Sequence, residues 1–379
     1  MRPTEFRPHQ LGESIRVLSR RSGAKILGVI AEQQSLPART IRMKRSIFLT
    51  IGGLGLATWA LARSFRGNYD FAGKIVVITG GSRGLGLTIA RQLVSEGARL
   101  AFFARDREEL DRAVAQLRSL GGDALAVPCD LLDREQSLGA IETVLDHFGT
   151  IDVLINNAGI IEIGPLENMR RADFEKSMQL HCWAPFNLME KVIPQMRRAG
   201  GGRIVNISSI GGKVAVPHMA PYSMSKFALL GLSDAFRAEL ARDNIRVTTV
   251  MPGVMRTGSH LNARFKGDHS AEFAWFSFSA TLPLASVNAE RAAKQIITAC
   301  RHGQGALIIG LPARLAIVGN AVFPSLTGEV VKLINWILPS SSGREGDEAM
   351  PGRAVRQDRR VPGWLTRMGD AAVARNNEA

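Results

Sequence analysis

The chain has 379 residues, 45% of them hydrophobic, with a formal net charge of +14 and a pI near 10.5. That length allows two average domains or one large domain with extensions, and the apolar share supports a sizeable core. Cys129, Cys182 and Cys300 are scattered with no C-x-x-C pair, which argues against a disulfide framework and a zinc site. The basic surplus comes with no nucleic-acid motif, so no nucleic-acid partner is expected.

Residues 1–45 hold ten Lys/Arg against three acids (Glu5, Glu13, Glu32) and show no clear periodicity, so they read as a basic, disordered leader. Ser46–Ala62 follows, 17 residues without a charge, weakened as a helix by Gly52, Gly53 and Gly55. It reads as a hydrophobic anchor within 46–66. A secretory signal cleaved at Ala60-Leu61-Ala62, or a buried helix, is the alternative. Basic residues flank the run on both sides, Arg39, Arg42, Lys44 and Arg45 before it and Arg63 and Arg66 after it, and suit an anionic membrane surface.

From Phe71 the pattern changes. Apolar runs at 74–80, 99–105, 123–130, 152–159, 202–209, 244–253 and 305–310 alternate with stretches of helical spacing such as Leu110, Ala113, Leu117 and Leu120. Strands covered on both faces by helices make a parallel α/β sheet, so the spacing predicts one domain over 67–310. An apolar helical extension is expected over 311–339. A polar tail, 340–379, in which seven arginines nearly balance six acids, is expected to be disordered.

The first strand runs into Gly80-Gly81-Ser82-Arg83-Gly84-Leu85-Gly86 and then a helix. Glycines there permit a tight turn and close approach to a phosphate, and the helix N-terminus offers free N–H groups to the anion. Asn156-Asn157-Ala158-Gly159 closes the fourth run and Asn206-Ile207-Ser208-Ser209 the fifth. Tyr222 and Lys226 stand four apart in Y-S-M-S-K, thirteen residues after Ser209, and Pro252-Gly253 precedes Thr257. On one helix face a neighbouring ammonium is expected to lower the tyrosine pKa toward the working range.

These motifs, in this order over about 72–310, resemble the TGxxxGxG, NNAG, YxxxK and PGxxxT motifs of the short-chain dehydrogenases/reductases. The resemblance implies a doubly wound, Rossmann-like sheet of seven parallel strands ordered 3-2-1-4-5-6-7. It implies carbonyl/alcohol interconversion in which Tyr222 exchanges the proton, Ser209 orients the oxygen and Lys226 binds the nicotinamide ribose. Gly80, Ser82, Arg83, Gly84, Leu85, Gly86, Asn157, Ala158, Gly159, Pro252, Gly253 and Thr257 would contact the cofactor, and Asp130 its adenine. His181 stands where the family usually has an asparagine; it either holds that residue's water or is a packed structural histidine.

The second strand ends at Arg105 with no acid before Asp106, and Arg83 adds a second cation, so NADP(H) is expected over NAD. Phe265, Phe273, Trp275, Phe276 and Phe278 suggest a lipophilic small-molecule substrate under an aromatic cover, or simply a lid packed on the core. A homo-oligomer is expected from the resemblance. The reading is therefore a membrane-associated NADP(H)-dependent ketone/aldehyde reductase facing the cytoplasm. A lumenal or export-facing steroid/retinoid-type dehydrogenase and an NADP(H)-binding sensor without turnover are its rivals. The positive-inside rule would send the enzyme across the membrane, because the heavier basic cluster precedes the anchor. Two features weigh the other way: the run is short, and the single N-x-S/T sequon, at Asn206, lies inside a buried strand.

Overall fold

Short runs that are apolar at every position must be covered on both faces, and that requirement builds the sheet. The computed structural model describes residues 68–281, 286–358 and 376–378. The leader and anchor expected over 1–66 lie outside the described residues. The strands are β1 (Ile75–Thr79), β2 (Arg99–Ala104), β3 (Ala124–Pro128), β4 (Val153–Asn156), β5 (Gly202–Ile207), β6 (Ile245–Pro252) and β7 (Ala306–Ile309). They form one parallel sheet in the order β3-β2-β1-β4-β5-β6-β7, the expected doubly wound topology.

The helices that cover it are α1 (Gly84–Ser95), α2 (Arg107–Ser119), α3 (Arg134–Phe148), α4 (Arg171–Met178), α5 (Ala184–Arg198), α6 (Ala220–Leu240), α7 (His269–Thr281) and α8 (Ala289–Arg301). Successive side chains of a strand face opposite ways. Val76 and Ile78 of β1 therefore enter one core with Leu93 of α1, Leu117 of α2 and Ile296 of α8. Ile75 and Val77 enter the other with Ile141 of α3 and Leu188 and Val192 of α5. Each such side chain contributes roughly 1.5–3 kcal/mol when fully buried. Asp106, Asp133 and Asn288 accept first-turn N–H groups and so set where α2, α3 and α8 begin.

Beyond β7, the apolar extension is a helical hairpin, α9 (Leu311–Val322) and α10 (Pro324–Trp336). It is not core: Leu311, Leu315, Phe323, Leu326, Leu333 and Trp336 are all exposed, Trp336 at 85%.

The polar tail departs from expectation. Residues 343–355 are folded: Gly343–Asp347 makes a tight helical turn and Met350–Pro351 pairs antiparallel with Arg264–Phe265. Gly352–Val355 makes a further helical turn. Arg264–Phe265 in turn lies parallel to Glu162–Ile163, so the tail straps the segment that carries α7. Composition conceals this because few residues do the anchoring. Val355 is buried, and the Gly352 N–H donates to Ala263 O at 2.9 Å where a side chain would strike the His260 carbonyl.

Candidate active site

The carboxyl ends of the parallel strands deliver every motif to one edge of the sheet, which is where open α/β sheets bind ligands. Gly80 follows β1, Arg105 follows β2, Asp130 follows β3, Asn157 follows β4, Ser209 follows β5 and Pro252 ends β6. Gly80 and Gly84 take positive φ (62° and 57°), and a side chain on Gly86 would collide with the Gly80 carbonyl. The loop thus needs its glycines for turn and close packing alike. Asn157 closes it from the side: its Nδ2 donates to Thr79 O and Gly80 O, both at 3.0 Å. Thr79 Oγ1 accepts the N–H groups of Asn157 (2.9 Å) and Ala158 (3.0 Å). Thr79 was absent from the expected set, and Asn157 braces the loop through its amide. Leu85 and Ser82 are buried in the loop, and Gly253 donates its N–H to Ile309 O at 2.9 Å. Thr257 Oγ1 accepts the Ser259 N–H at 3.3 Å, and Asp130 Oδ1 accepts the Leu132 N–H at 3.0 Å.

Helix α6 carries Tyr222 and Lys226 on one face, as their spacing requires. The Tyr222 phenol faces Ser209, whose Oγ accepts the Gly211 N–H at 3.1 Å. Lys226 is buried, its Nζ 5.6 Å from the Tyr222 ring centroid and donating to Ile207 O at 2.9 Å. The electrostatics correct the sequence expectation. Burial raises the Tyr222 pKa, partly offset by the Ser209 hydroxyl, so the phenol is not depressed by its neighbour. Burial also pushes the Lys226 ammonium down to about 7. Both charged forms lose hydration in the same closed space, and this outweighs their mutual attraction.

His181 sits in a π-turn, Gln179–Trp183, that joins α4 to α5; such bulges are frequent at functional sites. Its ring is buried and both nitrogens are committed. Nε2 accepts the Ile160 N–H at 3.0 Å, which leaves Nδ1 protonated and donating to Ser225 Oγ at 2.7 Å. Ser225 Oγ passes a hydrogen bond to Tyr222 O at 2.8 Å. Burial, then the nearby Lys226, holds the His181 pKa well below the ordinary histidine range. Of the two expectations, the packed histidine is the one observed: a neutral strut between the turn after β4 and the backbone of the catalytic helix. Ser225, the middle of this strut, lies within the Y-x-x-x-K motif and gave no separate signal.

The two arginines differ. Arg83 Nη1 pairs with Glu109 Oε1 at 2.9 Å, and Ser82 Oγ donates to Glu109 Oε2 at 3.2 Å. The expectation of two arginines free of any carboxylate is therefore corrected, because the first turn of α2 brings Glu109 back to the loop. Arg105 is exposed and makes no ion pair among the described residues.

Of the aromatic cover, Phe265 and Phe273 are fully buried against each other (ring centroids 5.4 Å apart) and pack with Ile163 and Met219. Tyr222, Trp275 and Phe276 lie against that cluster, while Phe278 is exposed. The cover is thus packed as a lid, and its edge makes an apolar border to Tyr222. A cavity of about 850 Å³ between α6 and α10 is lined by Met224, Phe227, Leu333 and Trp336 among others. It does not border the catalytic residues, because Ala220, Met224 and Phe227 share the face of α6 turned away from Tyr222 and Lys226.

Comparison with known proteins agrees with this geometry. The family model described as short chain dehydrogenase matches residues 74–266. The Mycobacterium tuberculosis protein SadH, named as an oxidoreductase, is 34% identical over 275 residues, 70% of this chain and 99% of the relative. A short-chain dehydrogenase from Streptomyces avermitilis superposes with a TM-score of 0.60 at 28% identity, covering 71% of this chain and 98% of that one. The L-sorbose reductase of Gluconobacter frateurii, solved with NADPH and L-sorbose, superposes with a TM-score of 0.57 at 26% identity, covering 64% of this chain and 97% of its own.

Proposed function

Since the chain belongs to the short-chain dehydrogenase family of oxidoreductases, we propose that it is an NADP(H)-dependent reductase of lipophilic ketones or aldehydes, with Tyr222 as the proton donor. The observation that carries this reading is the grouping of buried Ser209 and Lys226 with half-buried Tyr222 at the carboxyl edge of the sheet, beside the glycine loop. The loop accommodates an anionic dinucleotide. The cradle between Gly84 and Gly258 already receives a carboxylate of this chain, that of Glu378, on the Gly258 N–H. Arg105 and Arg83 suit a 2′-phosphate, and the Gluconobacter relative was solved with NADPH.

Bound there, NADP(H) supplies the hydride. The chain's own groups handle the oxygen. With one Ser209 lone pair taken by Gly211, the serine hydroxyl proton is free for the Tyr222 oxygen or the substrate oxygen. Tyr222, kept as a neutral phenol by burial, hands its proton to that oxygen as charge develops on it. A charged Lys226 beside the ring lowers the cost of the phenolate left behind, and its pKa of about 7 lets it gain or lose a proton at neutral pH. The apolar border of Phe276 and Trp275 favours a lipophilic substrate and keeps water from the reacting oxygen.

The test is NADPH oxidation across a panel of ketones and aldehydes of rising hydrophobicity. Turnover is expected, strongest with the apolar members; none across the panel would sink the reading. Replacing Arg83 and Arg105 together with uncharged residues should weaken NADP binding at least tenfold more than NAD, since each charge-assisted contact contributes roughly 1.5–3 kcal/mol. A double variant with its preference intact would place the discrimination elsewhere.

The second part of the proposal is a membrane surface as partner, with the catalytic domain on the cytosolic side, where NADPH is available. It is supported by the basic-flanked run at 46–62 and by the exposed apolar hairpin α9–α10. At 12 and 13 residues, those helices are too short to span, and no described helix is long and apolar enough to cross. They would lie in the interface. Protease added to sealed vesicles whose cytosolic face is outward should digest the catalytic domain without detergent. Protection until detergent is added would put the enzyme on the opposite side.

A further inference from the structure

The last described residues, Asn376–Glu378, lie on the glycine loop, far from any element adjacent in sequence. Asn376 accepts the Gly84 N–H through its backbone carbonyl at 2.9 Å, and its side-chain oxygen takes Arg91 Nη2 at 2.7 Å and Thr88 Oγ1 at 3.3 Å. Asn377 Nδ2 donates to Ser82 O at 2.9 Å and Glu109 O at 3.2 Å, while its Oδ1 accepts from Arg112 Nε at 3.1 Å. Glu378 Oε2 accepts the Gly258 N–H at 2.6 Å, and Arg353 Nη2 reaches the Glu378 carbonyl at 2.9 Å. Asn376 and Glu378 are 2% and 4% exposed. A Cβ placed on Gly84 would come within 3.1 Å of a Glu378 carboxylate oxygen, and one on Gly258 within 2.9 Å of Glu378 Cβ.

These are the N-terminal turn of α1 and the loop after β6, the two walls that the proposed function gives to the dinucleotide diphosphate. One set of N–H groups serves one anion at a time. We propose that Asn376-Asn377-Glu378 is a tethered inhibitor seated in the diphosphate site, so that the cofactor enters only when the tail leaves. The inference rests on the NADP(H) reading of that site. Tethering gives the tail a high effective concentration, and the apparent cofactor Kd rises by the inverse of the open fraction. Burial raises the Glu378 carboxyl to about 7, with Arg83 of the loop and Arg353 of the 352–355 turn offsetting this and Glu109 of α2 adding to it. A diphosphate brings more charge to the same donors.

The experiment compares the full chain with the full chain carrying Asn376→Ala, Asn377→Ala and Glu378→Ala, titrating NADP+ and NADPH by calorimetry. None of the three side chains belongs to the apolar cores of the domain, so the variant should fold as the parent does. The variant should bind about tenfold tighter or better, with a lower KM for NADPH and the same kcat at saturating cofactor. Because the seated carboxyl ionises near 7 and a free one near 4.5, seating takes up a proton between those values and weakens as pH rises through them. The gap between the two proteins should therefore be wider at pH 5.5 than at pH 7.5. Equal affinities at both pH values would overturn the inference and leave the dinucleotide site standing. If neither protein bound NADP(H), the functional reading would fall and the inference with it.

Discussion

Tyr222→Phe is expected to lower turnover by about 10²–10⁴-fold while NADPH still binds, the range lost when a positioned proton donor is removed. The chain has two tyrosines, and the other, Tyr69, packs against Phe71, so no second phenol stands ready at the site. Phenylalanine keeps the ring that packs edge-on to His181 (centroids 5.5 Å apart) and removes only the hydroxyl. The variant should fold as the parent does, and its NADPH affinity should change little because no glycine-loop contact is touched. Single-turnover measurement with prebound NADPH isolates the chemical step. Near-parental rates there would mean that the proton comes from another group, and the assignment of Tyr222 would be wrong.

Lys226→Met should abolish most of the activity and yet make the free protein more stable. Lys226 is 4% exposed; its Nζ donates to the Ile207 carbonyl, and no carboxylate is paired to it among the described residues. Burial drops its pKa from 10.5 to about 7. Between those values the unfolded chain holds one proton more than the folded chain, so stability falls as pH drops from about 10.5 to about 7 and is level below that. Methionine, similar in length and uncharged, removes that penalty. The gain near neutral pH should be about 4 kcal/mol, or roughly 6 °C in Tm for a domain of this size, shrinking to nothing above pH ~10.5. Thermal melts of both proteins at pH 7 and at pH 10.5 read it directly. An unchanged or lowered Tm at pH 7 would show that the buried amine is held at no cost. Activity and cofactor affinity should both fall, since the amine serves the phenol and the ribose alike.

The sheet and the catalytic helix were legible because both depend on local pattern. A strand buried on two faces must be apolar at every position, and all seven such runs became strands in the expected order. Tyr222 and Lys226 share a face by helix geometry alone, and Ser209 ends the neighbouring strand. The lid aromatics were legible as a group but not in role, because an aromatic residue that buries its ring against a neighbour and one that borders a substrate look alike in sequence.

What the tertiary structure decided is everything that depends on partners far along the chain. Charge counting placed two cations at the 2′-phosphate position; folding added Glu109, 26 residues from Arg83, as a counter-charge. Spacing suggested a tyrosine pKa drawn down by a lysine; burial of both groups overrode the pair, because dehydration acts on each charge separately. His181 could have held a water or packed as a strut. Only the meeting of Ile160 and Ser225 around its ring settled its tautomer and its work. The polar tail had no composition that announces structure, yet Glu378 reaches Gly258 across 120 residues and Asn376 reaches Thr88 across 288. Periodicity is a property of neighbours in sequence and fixes which face of an element is buried. A hydrogen bond or a pKa belongs to neighbours in space, and those exist only once the chain has folded.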